Sequence, residues 1–207
     1  MLKILNHPLI KIKLTKMRDE KASHTIFRQC LNEIASLMVY EVLRDYKTKP
    51  LDVKTPTGSV ANGQDFNKEI VIVPILRAGL GMVQGIERLV PQARIGHIGM
   101  YREETTFKAV PYFYKMPNVD KASEIIVVDP MLATGVSSND AISKLKHDGF
   151  KKIRLVSLVA APEGVKRVEE ANPDVTIYLA ALDDKLDENK YIRPGLGDAG
   201  DRLFGTK

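Results

Sequence analysis

The chain has 207 residues, 44% of them hydrophobic and 28% charged, enough to bury a full core in one domain with an accessory segment. A formal charge of +5 and a pI near 9.2 favour anionic partners such as small polyphosphates, nucleic acid or a membrane surface, but Lys and Arg are scattered rather than gathered in a run. The lone Cys30 excludes an intrachain disulfide, no apolar run reaches membrane-spanning length, and the opening MLKILNHPLIKIKL has neither the apolar core nor the cleavage site of an export signal, so a cytoplasmic location is expected.

Pro8, directly after His7, suits the first turn of a helix. From Phe27 to Leu43, the residues Phe27, Cys30, Leu31, Ile34, Leu37, Met38 and Val42 fall at helical spacing and predict a long amphipathic helix. The N-terminal helices are thereby placed at about residues 8–45. LDVKTPTGSVANGQDFN is rich in turn formers and predicts loops or a short hairpin. Ile70 to Ile75 predicts a strand buried on both faces. A helix carrying Met82, Val83, Ile86, Leu89 and Val90 follows and is ended by Pro91, and a third strand begins near Arg94. YREETTFKAVPYFYKMP, polar in its middle and aromatic at its far end, predicts two extended arms joined by a mobile tip, a β-arm over about residues 95–115.

The stretch IIVVDPMLATGVSSND places a short β-branched strand, Ile125 to Val128, before Asp129, a small-residue turn and a helix. That helix carries Ala141, Ile142 and Leu145 and closes at Gly149. An acid at the carboxyl end of a strand, followed by the free N–H groups of a helix start, reads as half of a phosphate site. Strand Ile153–Ala160, a helix from Pro162 and strand Val175–Ala180 complete the alternation. The fold class is therefore α/β, a mostly parallel central sheet flanked by helices.

Several motifs are absent or out of context. No G-x-x-x-x-G-K-[ST] or G-x-S-x-G string occurs. Gly195 to Gly200 (GLGDAG) matches a dinucleotide pattern, but Pro194 rather than a strand precedes it and too little chain follows for a βαβ unit. The four histidines show no paired metal-ligand spacing. In PILRAGLG, after the Ile70–Ile75 strand, Arg77 offers a planar fork for phosphate oxygens. Gly79 and Gly81 are expected to let backbone approach a ligand.

VVDPMLATG resembles the phosphoribosyl-diphosphate (PRPP) motif of type I phosphoribosyltransferases, with proline in place of the usual second acid. Together with HPLIKIKLTKMRDE, VPILRAGLG, GMYREE, VPYF, LVAAPEG and YIRPGLGDAGDRLFGTK, the resemblance is to the uracil phosphoribosyltransferase family over nearly the whole chain. It implies one domain over residues 1–207 with the type I fold, a flexible β-arm and a small C-terminal base-binding hood at about residues 182–207. The implied reaction joins uracil to PRPP, giving UMP and pyrophosphate, as in pyrimidine salvage.

The same resemblance assigns residues. Arg77, Arg102 and Asp198 are the catalytic candidates. Asp129, Pro130, Met131, Leu132, Ala133, Thr134, Gly135, Val136 and Ser137 would bind PRPP together with Arg77, Arg102 and Asp198. Tyr191, Ile192, Gly197, Asp198 and Ala199 would bind uracil. Asp198 is left open between a base toward N1 and a ligand-orienting group. Mg²⁺ is implied as cofactor, held mainly by PRPP with no direct protein ligand assigned. A GTP effector and a homo-oligomer, dimer or larger, are further implications, with no nucleic acid or membrane partner expected. Residues 102–111 resemble an arm that covers PRPP, or else a dimer-forming hairpin. The chain departs from the family pattern at Val136, where glycine is common and a positive φ would be strained, at Glu103, and at Arg193, which would either alter access to the base pocket or add charge for an anion. An RNA-binding regulator on this fold and an enzyme for another base are the rival readings.

Overall fold

The computed structural model describes residues 1–102 and 109–206, with only the backbone described for Tyr101, Arg102 and Ala109. In chain order the elements are β1 (Leu2–Ile4), α1 (Pro8–Arg18), α2 (His24–Val42), β2 (Thr48–Lys54), β3 (Val60–Phe66), β4 (Ile70–Leu76), α3 (Leu80–Glu87), β5 (Arg94–Ile95), β6 (His97–Arg102) and β7 (Ala109–Lys115). They continue as β8 (Glu124–Val128), β9 (Met131–Leu132), α4 (Val136–His147), β10 (Lys152–Ala160), α5 (Pro162–Ala171), β11 (Thr176–Leu182), β12 (Lys185–Leu186), β13 (Ile192–Arg193) and α6 (Ala199–Phe204).

The central sheet runs β1-β11-β10-β8-β4-β6-β7. Its pairs are parallel except β6 with β7, which are antiparallel. Both faces are covered, which explains why its strands read as continuous apolar runs. Alternation splits each strand between two cores. Ile70, Ile72, Ile126, Val128 and Leu158 join the cluster of α1, α2, α3 and α6. Val71, Val73, Ile125, Val127 and Leu155 join that of α4 and α5. Each such side chain, buried from water, contributes roughly 1.5–3 kcal/mol.

The helices start where local chemistry directs. His7 Nδ1 accepts from Leu9 N–H at 3.2 Å to cap α1, with Pro8 in its first turn. Ser23 Oγ accepts from Ile26 N–H at 3.3 Å to cap α2. Gly85 lets α2 and α3 close together, since a Cβ there would lie 2.1 Å from the Asn32 carbonyl oxygen.

Some elements differ from the expectation and others fill it in. Leu2–Ile4 is an added edge strand, in register with Ile177–Leu179 of β11. Three residues are too few for a sequence pattern, and only the neighbouring strand makes them extended. The expected strand near Arg94 is divided into β5 and β6 at Gly96, where a side chain would meet Met116 Sδ. The turn-rich segment forms a hairpin whose strands pair over their full length, Thr48↔Phe66 to Lys54↔Val60. Both arms of the expected β-arm are present as β6 and β7, while its tip, with Glu103, lies outside the described residues. At the arm's base, Tyr114 Oη donates to Asp148 at the end of α4. This hydrogen bond, before the others Asp148 accepts, lowers that carboxyl to about 2.

Candidate active site

In a parallel sheet every strand delivers its carboxyl end to one edge, and four loops meet there: those after β4, β8, β10 and β11. Asp129 follows β8 directly, its N–H bonded to Val156 O at 3.1 Å. The chain does not turn away at once, as the small-residue reading expected. Pro130 O accepts from Leu158 and Val159 N–H, both at 3.1 Å, and β9 pairs Met131 and Leu132 with Val159 and Ala160. Pro130 and Leu132 are buried, and Leu132 belongs to the core beneath. Asp129, Met131 and Ala133 face a cavity of about 390 Å³. Asp129 is half-buried, and burial pushes its carboxyl up to about 7, opposed only by the Met131 N–H.

Next along the chain, residues 133–138 enclose a small hollow at the start of α4. Gly135 is the N-cap with φ 75°, and α4 has no side-chain cap and no acid in its first turn. The helix start therefore keeps its N–H groups and positive dipole end directed at the hollow, an arrangement suited to an anion. Val136 is helical, and Lys190 is the sole non-glycine with positive φ among the described residues. As expected, Val136 does not take a positive φ, and Gly135 takes the left-handed conformation instead. Gly164, at the start of α5, makes the loop possible: a Cβ on it would lie 2.3 Å from Ala133 O, and one on Gly135 would lie 2.7 Å from Gly164 O. Gly164 lies within LVAAPEG, whose sequence alone assigns it no role. The motif was the signal, and its meaning needed the partner loop.

The other side of the cavity comes from the C-terminal segment. Tyr191, Gly197, Asp198 and Ala199 line it, as do Asn189 and Lys190, which sequence reasoning missed. Asp198 Oδ1 accepts from Asp201 N–H at 3.0 Å and caps α6. Ile192 is a candidate through its backbone alone, since its side chain is buried in the core. Arg193 is drawn sideways into an ion pair with Asp187 at 2.6 Å. It does not line the cavity and its charge is paired, so its position supports neither alternative.

This segment is tied to the first helix. Arg18 Nη2 and Nη1 donate to Asp183 Oδ1 and Oδ2 at 2.5 and 2.8 Å, and Nη1 also donates to Gly195 O at 2.8 Å. Gly195 N–H in turn donates to Asp183 Oδ2 at 2.9 Å. Arg202 donates to Met17 O, to Leu196 O at 3.0 Å and to Asp19 O at 2.6 Å, and its guanidinium lies 4.7 Å from the Phe27 ring centroid.

Arg77 follows β4 and is exposed, with a cis peptide between Leu76 and Arg77. A Cβ on Gly200 would lie 3.2 Å from Asp198 Oδ1 and 3.9 Å from Arg77 Nη2, so the loop brings this cation and this acid to the same place. The glycines beside Arg77 do not serve as expected. A Cβ on Gly79 would run into Val128 O at 2.5 Å, and one on Gly81 into Leu31 and Leu203 at 2.5 and 2.6 Å. They permit packing against strand and helix rather than approach to a ligand. Arg102 ends β6, and its side chain lies outside the described residues.

An acid ending a central strand, an uncapped helix start beside it and a C-terminal wall across the cavity define a type I phosphoribosyltransferase fold. The same fold occurs in an adenine phosphoribosyl transferase from Trypanosoma brucei solved with AMP, pyrophosphate and ribose-5-phosphate, at a TM-score of 0.58 and 13% identity over 91% of this chain and 87% of that one. The chain belongs to the uracil phosphoribosyltransferase family, whose model matches residues 4–206. It is 68% identical to the uracil phosphoribosyltransferase of Mycoplasma mobile, with 100% of both chains covered. It is similar as well to the AQ2163 protein from Aquifex aeolicus, at a TM-score of 0.94 and 39% identity over 100% of this chain and 99% of that one.

Proposed function

We propose that the chain transfers the phosphoribosyl group of PRPP to N1 of uracil, giving UMP and pyrophosphate for pyrimidine salvage. The observation that carries this reading is one cavity faced by both Asp129, next to an uncapped helix start, and the C-terminal loop Gly197–Ala199. The C1′–O bond to pyrophosphate breaks, the C1′–N1 bond forms, and the N1 proton leaves the base.

In this reading the backbone N–H groups from Ala133 to Ser137, with the Thr134 and Ser137 hydroxyls, hold the 5′-phosphate. Asp129 accepts hydrogen bonds from the ribose hydroxyls, and ionised it also faces the positive charge that grows on the sugar. Pro130, Met131 and Leu132 set the backbone path between these groups. Arg77 and Arg102 take up charge on the departing pyrophosphate. Backbone groups of Ile192, Gly197 and Ala199 satisfy the polar edge of uracil, with Tyr191 beside them. Asp198 orients the ligand at N1, since one of its oxygens already caps α6.

Phosphoribosyltransferases generally use Mg²⁺ with PRPP, where the ion shields diphosphate charge. Among the described residues no cluster of three or more metal-ligating side chains occurs. Asp129 and Asp198 are the carboxylates that line the cavity, and they would hold the ion through its water shell. No helix among the described residues is long and apolar enough to cross a membrane, and we place the enzyme in the cytoplasm as one domain over residues 1–207. Exposed Ile4, Leu9, Tyr40 and Leu89 around a groove of about 660 Å³, with Leu51, Val53 and Val60 bare on the β2–β3 hairpin, favour a homo-oligomer. A GTP effector belongs to the same reading through the family likeness alone.

The test is pyrophosphate release from PRPP and Mg²⁺ with uracil, cytosine, hypoxanthine, guanine or orotate supplied separately. Uracil-dependent release with UMP as product is expected. Release with another base alone would overturn the uracil assignment. PRPP binding without turnover would favour a regulator.

A further inference from the structure

We infer that Arg18, remote in sequence from the cavity loops, and Asp183, at the foot of the C-terminal segment, act together as the positioning device for the base-binding wall. The inference rests on the uracil reading above and deepens it. Asp183 directly follows β11, and its N–H donates to Ala160 O at 2.8 Å, so its backbone is anchored to the carboxyl edge of the sheet. Its side chain is 5% exposed and meets Arg18 in a two-pronged ion pair at 2.5 Å. That pair grips a single peptide position from both sides, because Gly195 donates its N–H to Asp183 at 2.9 Å and its carbonyl accepts from Arg18 at 2.8 Å.

Gly195 stands two residues before Gly197, where the chain returns to the cavity wall. It has φ 66°, and a Cβ on it would lie 2.1 Å from Ile192 O, so the loop has no slack at this point. Asp129 directly follows β8 and Asp183 directly follows β11, both on the sheet that β10 joins. The two sides of the cavity are thereby referenced to one rigid edge. Displacing a substrate-positioning wall by about 1 Å can cost on the order of 10²-fold in rate. The planar guanidinium matters, since an ammonium cannot span two carboxylate oxygens and a carbonyl with fixed geometry.

Arg18→Lys, Asp183→Asn and the double variant R18M/D183N separate positioning from folding. The double variant removes both charges and leaves no ion buried alone. Uracil KM is expected to rise about 10-fold in Arg18→Lys and up to about 100-fold in the other two. PRPP affinity measured without uracil should stay within about twofold in all three, and thermal unfolding should remain cooperative. Wild-type uracil turnover is the control for the functional reading: if it is absent, that reading fails. With wild type active, unchanged uracil KM in all three variants, or a parallel loss of PRPP affinity, would overturn the positioning role.

Discussion

The two sides of the cavity are built in opposite ways. The Asp129 side is one unbroken passage of chain, strand β8, an acid, a short paired step and helix α4, and its groups are neighbours in sequence. The C-terminal wall takes its shape from residues far away, with Arg18 and Asp183 at a separation of 165 positions and Met17 and Arg202 at 185. In the proposed function, a charged, conformationally demanding ligand is met by backbone that the local sequence already specifies, and a flat neutral base by a wall placed from outside.

This contrast predicts where substitutions act, and the largest effect belongs to Asp129. Asp129→Asn should lower kcat/KM for PRPP by about 100-fold, by analogy with the loss of a transition-state-stabilising group. The wild-type value should rise with pH through about 7 as this carboxyl ionises, and the variant should lose that rise. Stability should move the other way. A carboxyl whose folded pKa is raised keeps its proton after the unfolded chain has released it, so between about pH 4 and pH 7 wild type loses stability as pH rises. Allowing for water reaching the half-buried group, Asp129→Asn should stabilise the free protein on the order of 1–2 kcal/mol at pH 8 and little at pH 4. Thermal melts at the two pH values check this, and equal melts would remove Asp129's burial from the account.

Gly164→Ala sharpens the contrast by attacking the local side through a remote neighbour. With Ala133 O 2.3 Å from the new methyl, the expected cost is roughly 1–3 kcal/mol of stability. PRPP KM should rise and uracil KM should change little, read from denaturant melts and steady-state kinetics. A selective rise in uracil KM would break the division between the two sides. The smallest effect is expected for Val136→Gly. Because Val136 is already helical, glycine relieves nothing there and should cost about 0.5–1 kcal/mol of stability without tightening PRPP.

Residues explain how much could be read beforehand. Asp129, Gly135 and Ser137 were visible because a strand end, a turn and a helix start follow one another in a single window. The buried strands were visible for a related reason, since double-sided burial forces unbroken runs such as Ile125–Val128. Arg193 stood open between two roles until the fold paired it with Asp187 of its own loop, at 2.6 Å. Gly79 and Gly81 misled because close packing and ligand approach require the same missing side chain.

By itself the sequence determined the parallel α/β alternation, the acid and the helix start at the sheet edge, and the order of motifs in the chain. Backbone conformation and hydrophobic period act over a few residues, so a linear reading captures them. Tertiary structure alone decided that Arg18 would hold Gly195, that Gly164 would make room for Gly135, and that Lys190 would stand at the cavity. Those relations depend on which segments the folded sheet brings within hydrogen-bonding or contact distance, and separation along the chain carries no record of that.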